Sequence, residues 1–162
     1  LRSERAHCGA VPLAVFIDLD PGRGTFDPMT PGKPDAALPD VLRELREQGV
    51  TIVWFSRLGG SFEPAVRAAL AASDLDRSSS DQVVLLRDLS ERKQSRRDET
   101  AKLACPIAMV GDERADFDEL YLYLKNPDAA VALDAMIGRG WFLASPFVAS
   151  AAAPSIKTEN NQ

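Results

Sequence analysis

Val15-Phe16-Ile17-Asp18-Leu19-Asp20 is the stretch whose reading decides the fold. Ala14 to Ile17 is a continuous apolar run that ends abruptly in two carboxylates and then Pro21-Gly22. A run of this kind, bounded by turn residues, predicts a strand buried on both faces, as in parallel sheets. Acids at its C-terminal end fall where open α/β sheets place their ligands. Leu19 separates them, so period-two alternation sends both carboxylates to the same side. Like charges that close repel, and they need a metal ion, a cationic neighbour or a shared proton. Solvated turn acids before Pro-Gly would look the same, so the rest of the chain has to decide.

Downstream, Pro21, Pro28, Pro31 and Pro34 with Gly22, Gly24 and Gly32 predict a loop over 21–34. Ala36, Ala37, Leu38, Val41, Leu42 and Leu45 fall at helical spacing, predicting a helix over 35–48 with Gly49 as its stop. Val50 to Phe55 reads as a second buried strand ending at Ser56-Arg57. A helix over 62–72 follows, with Ala65, Ala68, Ala69 and Leu70 inward, then a polar turn over 74–81 and a third strand over 83–86. Residues 90–104 read as a charged helix anchored by Leu103 and a few alanines. Ile107 to Val110 is a fourth strand running into Gly111-Asp112-Glu113-Arg114-Ala115-Asp116. A helix over 117–124, an ambiguous segment over 129–137 and a fifth strand over 141–144 complete the pattern. Strands alternating with helices predict an α/β fold with a mainly parallel sheet. One domain over 11–153 is expected, with a polar tail or strap over 1–10 and a disordered tail over 154–162.

Composition narrows the function. Acidic residues outnumber basic ones, 24 to 19, for a formal charge of −5, which argues against a nucleic-acid partner held by a broad basic surface. No apolar run is long enough to span a bilayer. The chain opens on Leu1 rather than Met, which suggests a removed upstream segment, and no signal peptide is left to read. Cys8 and Cys105 are too few and too far apart for a disulfide framework, and no Cys/His cluster suggests zinc. His7, the only histidine, lies in the polar N-terminal segment, which argues against histidine-based catalysis.

Three strands thus end in polar groups: Asp18 and Asp20, then Ser56, then Asp112 with Asp116 beyond it. Lys93 stands between the last two groups, near the start of the charged helix. Strand ends of such a sheet converge on one crevice. Four carboxylates there make a poor core but a good site for a hard cation such as Mg²⁺, which would also relieve their repulsion of a phosphate. Each feature also has an ordinary reading: Ser56 as a strand-end cap, Asp112 as a turn residue, Asp116 as an acid placed for a helix dipole. Lys93 competes with Arg92, Arg96, Arg97 and Lys102 on a helix that fits a solvated charged face.

Taken together and in order, these motifs resemble those of the haloacid dehalogenase superfamily, mostly Mg²⁺-dependent phosphatases. Asp18-Leu19-Asp20 is similar to its first motif, the strand ending at Ser56 to its second, Lys93 to its third, and Gly111-Asp112-Glu113-Arg114-Ala115-Asp116 to its fourth. Within the superfamily, the run from Gly111 through Phe117-Asp118-Glu119, the strand followed by Ser56-Arg57, and Trp141 to Pro146 look most like class C acid phosphatases, which are secreted or lipid-anchored. The resemblance implies a three-layer Rossmann-like fold and an exported or periplasmic setting. It implies that Asp18 attacks phosphorus, Asp20 serves as acid and base, Ser56 holds a phosphoryl oxygen and Lys93 neutralises charge. Asp18, Asp20, Asp112 and Asp116 would be the metal set.

Two departures bear on activity. The family has Thr two residues after the second Asp, where this chain has Gly22 and a longer loop to Thr25. The Asn that class C enzymes carry between Ser and Arg is missing from Ser56-Arg57. Arg23 in that loop and Arg57 are candidate phosphate contacts. Neither segment between motifs has room for a cap domain, so the crevice suits a protruding substrate or completion by a second copy of the chain. The expected function is a phosphomonoester hydrolase acting through an aspartyl-phosphate. The alternatives are a catalytically impaired binding or scaffold protein, or a phosphotransferase.

Overall fold

A computed structural model describes residues 8–144 of the chain. Its five strands are β1 (Leu13–Asp18), β2 (Thr51–Gly59), β3 (Gln82–Leu86), β4 (Cys105–Gly111) and β5 (Trp141–Leu143). They form one sheet in the order β3-β2-β1-β4-β5, and every pairing is parallel. The helices are α1 (Leu38–Glu47), α2 (Glu63–Ala72), α3 (Lys93–Thr100) and the single turn α4 (Val131–Asp134). This is the expected α/β architecture, and among the described residues no cap domain interrupts it. The expected tail over 154–162 lies outside the described residues, as does most of the segment over 1–10.

Burial on both faces of the sheet explains the continuous apolar strands. Val15, Ile17, Ile52 and Trp54 pack with Leu42 of α1 and Val66 and Leu70 of α2. Ala14, Phe16, Val53, Phe55 and Val84 form a second cluster with Ala104, beyond α3. Period-two alternation puts Asp18 on the Phe16 side, the side that α3 covers. Register then levels the strand ends. Asp18 pairs with Phe55 of β2, and Ile17 pairs with Val110 of β4, so Ser56 and Gly111-Asp112 end up beside Asp18. The strand order reverses at β1, where β2 lies on one side and β4 on the other, which is the switch point that forms a ligand crevice.

Several elements differ from the sequence reading, each for a local reason. α1 starts at Leu38, three residues late, because the Asp35 carboxylate turns the chain by accepting from Ala37 N at 2.8 Å and Pro39 sits in the first turn. Gly49 does end the helix, in the left-handed region at φ 78°. On α2 it is Val66, Ala69 and Leu70 that are buried, while Ala68 faces solvent. α3 is short, and Leu103 is 71% exposed, so the anchor assigned to it is wrong. Its buried residues are Arg97 and Thr100. In place of the helix expected over 117–124 stands one 3-10 turn, Glu119–Leu122, which follows another at Arg114–Asp116. Asp118 accepts from Leu120 N at 2.8 Å and restarts the chain between them.

The cysteines correct a second expectation. Although 97 residues apart, Cys8 and Cys105 are disulfide-bonded, with Cα atoms 5.4 Å apart. Pro12 O accepts from Cys105 N at 2.8 Å, so the N-terminal segment runs alongside the start of β4. A loop this long removes much entropy from the unfolded chain. Cys8→Ser with Cys105→Ser is therefore expected to cost roughly 2–4 kcal/mol. Reduction with dithiothreitol should lower the wild-type melting temperature by a similar amount while leaving the doubly substituted protein unaffected. Equal melting of reduced and oxidised wild type would refute the tether.

Candidate active site

Lys93, the first residue of α3, reaches into the crevice and gathers the acids. Its ammonium pairs with Asp18 and lies 3.0 Å from Asp20 Oδ2 and 3.8 Å from Asp116 Oδ1. Asp18, at the end of β1, accepts on its other oxygen from Asp20 N at 2.8 Å. The loop after β1 curls round Asp20, whose Oδ1 accepts from Ser56 Oγ at 2.6 Å and Phe26 N at 3.0 Å. Its Oδ2 accepts from Arg57 N at 2.8 Å. Asp20 is 2% exposed and Ser56 1% exposed.

The fourth motif closes the other side. Asp116 Oδ2 accepts from Asp112 N at 3.0 Å and Glu113 N at 2.9 Å, holding the turn after β4 against its own strand. Gly22, in the left-handed region at φ 49°, donates to Asp112 Oδ2 at 2.7 Å and so joins the first motif to the fourth. Glycine suits that position on conformational grounds. Gly111 is required for space. A Cβ there would lie 2.6 Å from both Cβ and Oδ2 of Asp116. Gly111→Ala is accordingly expected to push Asp116 off its two N–H donors and to destabilise by about 1–3 kcal/mol. Calorimetry that found no change in melting would show the turn to be softer than this packing requires.

Charge follows from these contacts. Burial raises the Asp20 pKa, but the Lys93 charge and the hydrogen bonds from Ser56 and Phe26 more than offset it and leave the carboxyl below its ordinary range. Burial likewise lowers the Lys93 pKa, and Asp18 and Asp20 overcome that and raise it. Asp116 goes the other way: burial, reinforced by the Asp18 charge, pushes it up to about 8. The Lys93 ammonium thus favours the ionised form of Asp20, while burial favours the protonated form of Asp116.

The residues singled out from sequence are placed as follows. Asp18, Asp20, Ser56, Lys93 and Asp116 come together, and Asp112 stands beside them across Gly22. Of the competing cations it is Lys93 that pairs with the site acids; Arg92 turns to Glu119 and Arg96 to Glu91 and Glu99. Arg57 borders the site, with Nη2 donating to Gly24 O. Arg23 is exposed on the rim, and Thr25 is exposed as well. An open cleft of about 300 Å³, lined by Arg23, Arg57, Arg92, Lys93, Leu89 and Tyr123 among others, leads to Lys93 and Asp116. Sequence reasoning named Arg97 only as a competitor of Lys93 on a solvated face and missed that it is buried beside a cavity it shares with Asp18; its signal was its place one turn after Lys93 on the same helix face.

The fit to a cation is carried by Asp112. Its Oδ1 is buried and has no hydrogen-bond partner, and a carboxylate oxygen left so is the kind of donor a hard divalent ion takes. Among the described residues no three His, Cys, Asp or Glu side chains are already gathered as a metal cage, because Asp18 and Asp20 turn to Lys93 and Asp20 to Ser56. A divalent ion would favour ionised Asp116 and displace its proton.

A five-stranded parallel sheet whose order reverses at β1 is the Rossmann-like α/β fold expected from the sequence. No family model and no curated protein sequence matches the chain. Among solved structures, the class C acid phosphatase from Bacillus anthracis matches with a TM-score of 0.62 and 15% identity, over 85% of this chain and 68% of that one. The same phosphatase with tungstate bound gives 0.61 and 14%, with the same coverage. At that identity the likeness is one of fold, and it is the fold that the motifs imply. Among the described residues no helix is long and apolar enough to cross a membrane.

Proposed function

We propose that this protein is a Mg²⁺-dependent phosphomonoester hydrolase working through an aspartyl-phosphate. The observation that carries the reading is the pairing of one buried ammonium, Lys93, with both Asp18 and Asp20 at the sheet's switch point. In this reading Asp18 attacks phosphorus, and the leaving oxygen takes a proton from Asp20. Water that Asp20 deprotonates then attacks the phosphorus of this acyl phosphate, breaking its P–O bond to Asp18 and releasing phosphate, so the proton returns and the acid is restored. Lys93 neutralises the transferring group, and the Ser56 hydroxyl, when released from Asp20, binds a phosphoryl oxygen. Arg23 and Arg57 meet the substrate at the mouth. Asp18, the Asp20 backbone carbonyl and Asp112 would hold Mg²⁺, with Asp116 supporting or joining them. The ion would supply positive charge against which carboxylate and phosphate can approach.

A phosphorylated substrate that protrudes into an open cleft suits the absence of a cap among the described residues. The Cys8–Cys105 bond supports an oxidising compartment. The non-catalytic alternative draws on one observation, the exposure of Thr25 where the family uses a Thr hydroxyl on the phosphate. Hydrolysis of p-nitrophenyl phosphate decides between them. Turnover should require Mg²⁺, stop on chelation and return when the ion is restored. No turnover with Mg²⁺ supplied would favour a binding or scaffold role.

A further inference from the structure

α3 covers one face of the sheet, yet it spends one of its two buried positions on an arginine. Arg97 is 5% exposed, and its Nη2 is buried with no hydrogen-bond partner. A leucine or methionine would cover Phe16 and Phe55 at no desolvation cost, whereas a buried guanidinium is expensive unless charge repays it. The nearby charge is in the site. Arg97 lines a small cavity of about 10 Å³ together with Asp18, Asp116, Phe16, Phe55 and Met109. Lys93 lies one turn earlier on the same face and approaches the same two carboxylates from the cleft side.

We propose that Arg97 is a positioning residue: a buried charge that faces Asp18 and Asp116 across this small cavity and orients them from behind without a direct ion pair, leaving Lys93 free to follow the phosphoryl group. The inference rests on the hydrolase reading for its kinetic consequence, but not for the juxtaposition of the charges. Burial pulls the guanidinium pKa down, and Asp18, Glu119 and Asp116 are the charges that oppose the drop. When substrate draws Lys93 away, Asp18 would otherwise lose the cation on the α3 side and be free to turn from the line of attack. Arg97 cannot follow, because its stem is packed in the core.

Arg97→Met keeps the stem and removes the charge; Arg97→Lys keeps both. With wild-type hydrolysis established, Arg97→Met is expected to lower kcat on the order of 10–10²-fold, the usual scale for a residue supporting a reacting group, with KM little changed. Arg97→Lys should restore most of it. A kcat within error of wild type in Arg97→Met would overturn the proposal while leaving the hydrolase reading intact. A second measurement is independent of activity. The fall in melting temperature caused by Arg97→Met should be smaller in an Asp18→Asn background than in wild type, because the charge it serves is already gone. Strictly additive shifts would overturn the proposal even if the enzyme proved inactive. Failure of Arg97→Met to fold in both backgrounds would do so too, by assigning Arg97 to packing alone; folding recovered by Asp18→Asn would support it.

Discussion

Asp18→Asn is expected to lower phosphatase turnover by roughly 10⁴–10⁶-fold, the scale seen when an enzyme loses its nucleophile. The substitution is nearly isosteric, so the fold should survive, and two contacts explain why. The Asn carbonyl can still accept from Asp20 N, as Asp18 Oδ1 does now. The other position faces Lys93, where an amide NH₂ meets an ammonium. That contact is repulsive, but Lys93 retains Asp20 and Asp116 as partners. The loss should therefore lie in chemistry: an amide neither attacks phosphorus nor leaves as a carboxylate. Acid quench of wild type with labelled substrate should trap a base-labile phosphoprotein, and Asp18→Asn should trap none. Near-wild-type turnover in the variant would move the reaction to another site.

What could be read from sequence were features fixed by local pattern. The buried strand before Asp18 announced itself by apolar continuity, and Gly49 and the proline-rich loop by their backbone restrictions. The strand-end acids were legible because a parallel sheet has only one kind of place for them. Lys93 could be narrowed only to a helix carrying five cations, since which one faces inward depends on how α3 sits on the sheet. The Cys8–Cys105 bond was illegible for a similar reason: 97 residues separate partners that become neighbours only when the segment before β1 lies beside β4. Arg97 was hidden by its type. A charged residue on a charged helix reads as solvated, and only the placement of Asp18 on the α3 side makes its burial sensible. The misplaced anchor, Leu103, is the other half of that error.

Asp20→Asn is expected to slow turnover by roughly 10²–10⁴-fold, the range for a lost acid-base group, and it should also disturb the resting site more than Asp18→Asn does. The Asp20 carboxylate accepts on every side: from Ser56 Oγ, Phe26 N, Arg57 N and Nε, and Lys93 Nζ. An amide can accept at only one of the two positions. Its NH₂ must confront either Ser56 and Phe26, or Arg57 and Lys93, in a place 2% exposed. The Ser56 hydroxyl can rotate, whereas Arg57 N and Lys93 cannot become acceptors, so the NH₂ should settle toward Ser56 and strand Phe26 N. Leaving a buried donor unpaired costs about 1–3 kcal/mol. The pH dependence has a definite sign. Because the folded Asp20 pKa lies below the ordinary 3.8, the carboxylate's contribution to stability is present above that value and disappears as pH falls through the folded pKa. The melting-temperature gap between wild type and Asp20→Asn should thus be wide at neutral pH and close in strong acid. The same low pKa means that resting Asp20 is a base. To donate a proton to the leaving oxygen it must first lose stabilisation, and the contact best placed to go is Lys93, drawn to the phosphoryl group. Lys93→Met should therefore raise the Asp20 pKa as well as slow the reaction, shifting the alkaline fall of kcat/KM to higher pH. An alkaline limb that stays fixed in Lys93→Met would separate Asp20 from the acid role.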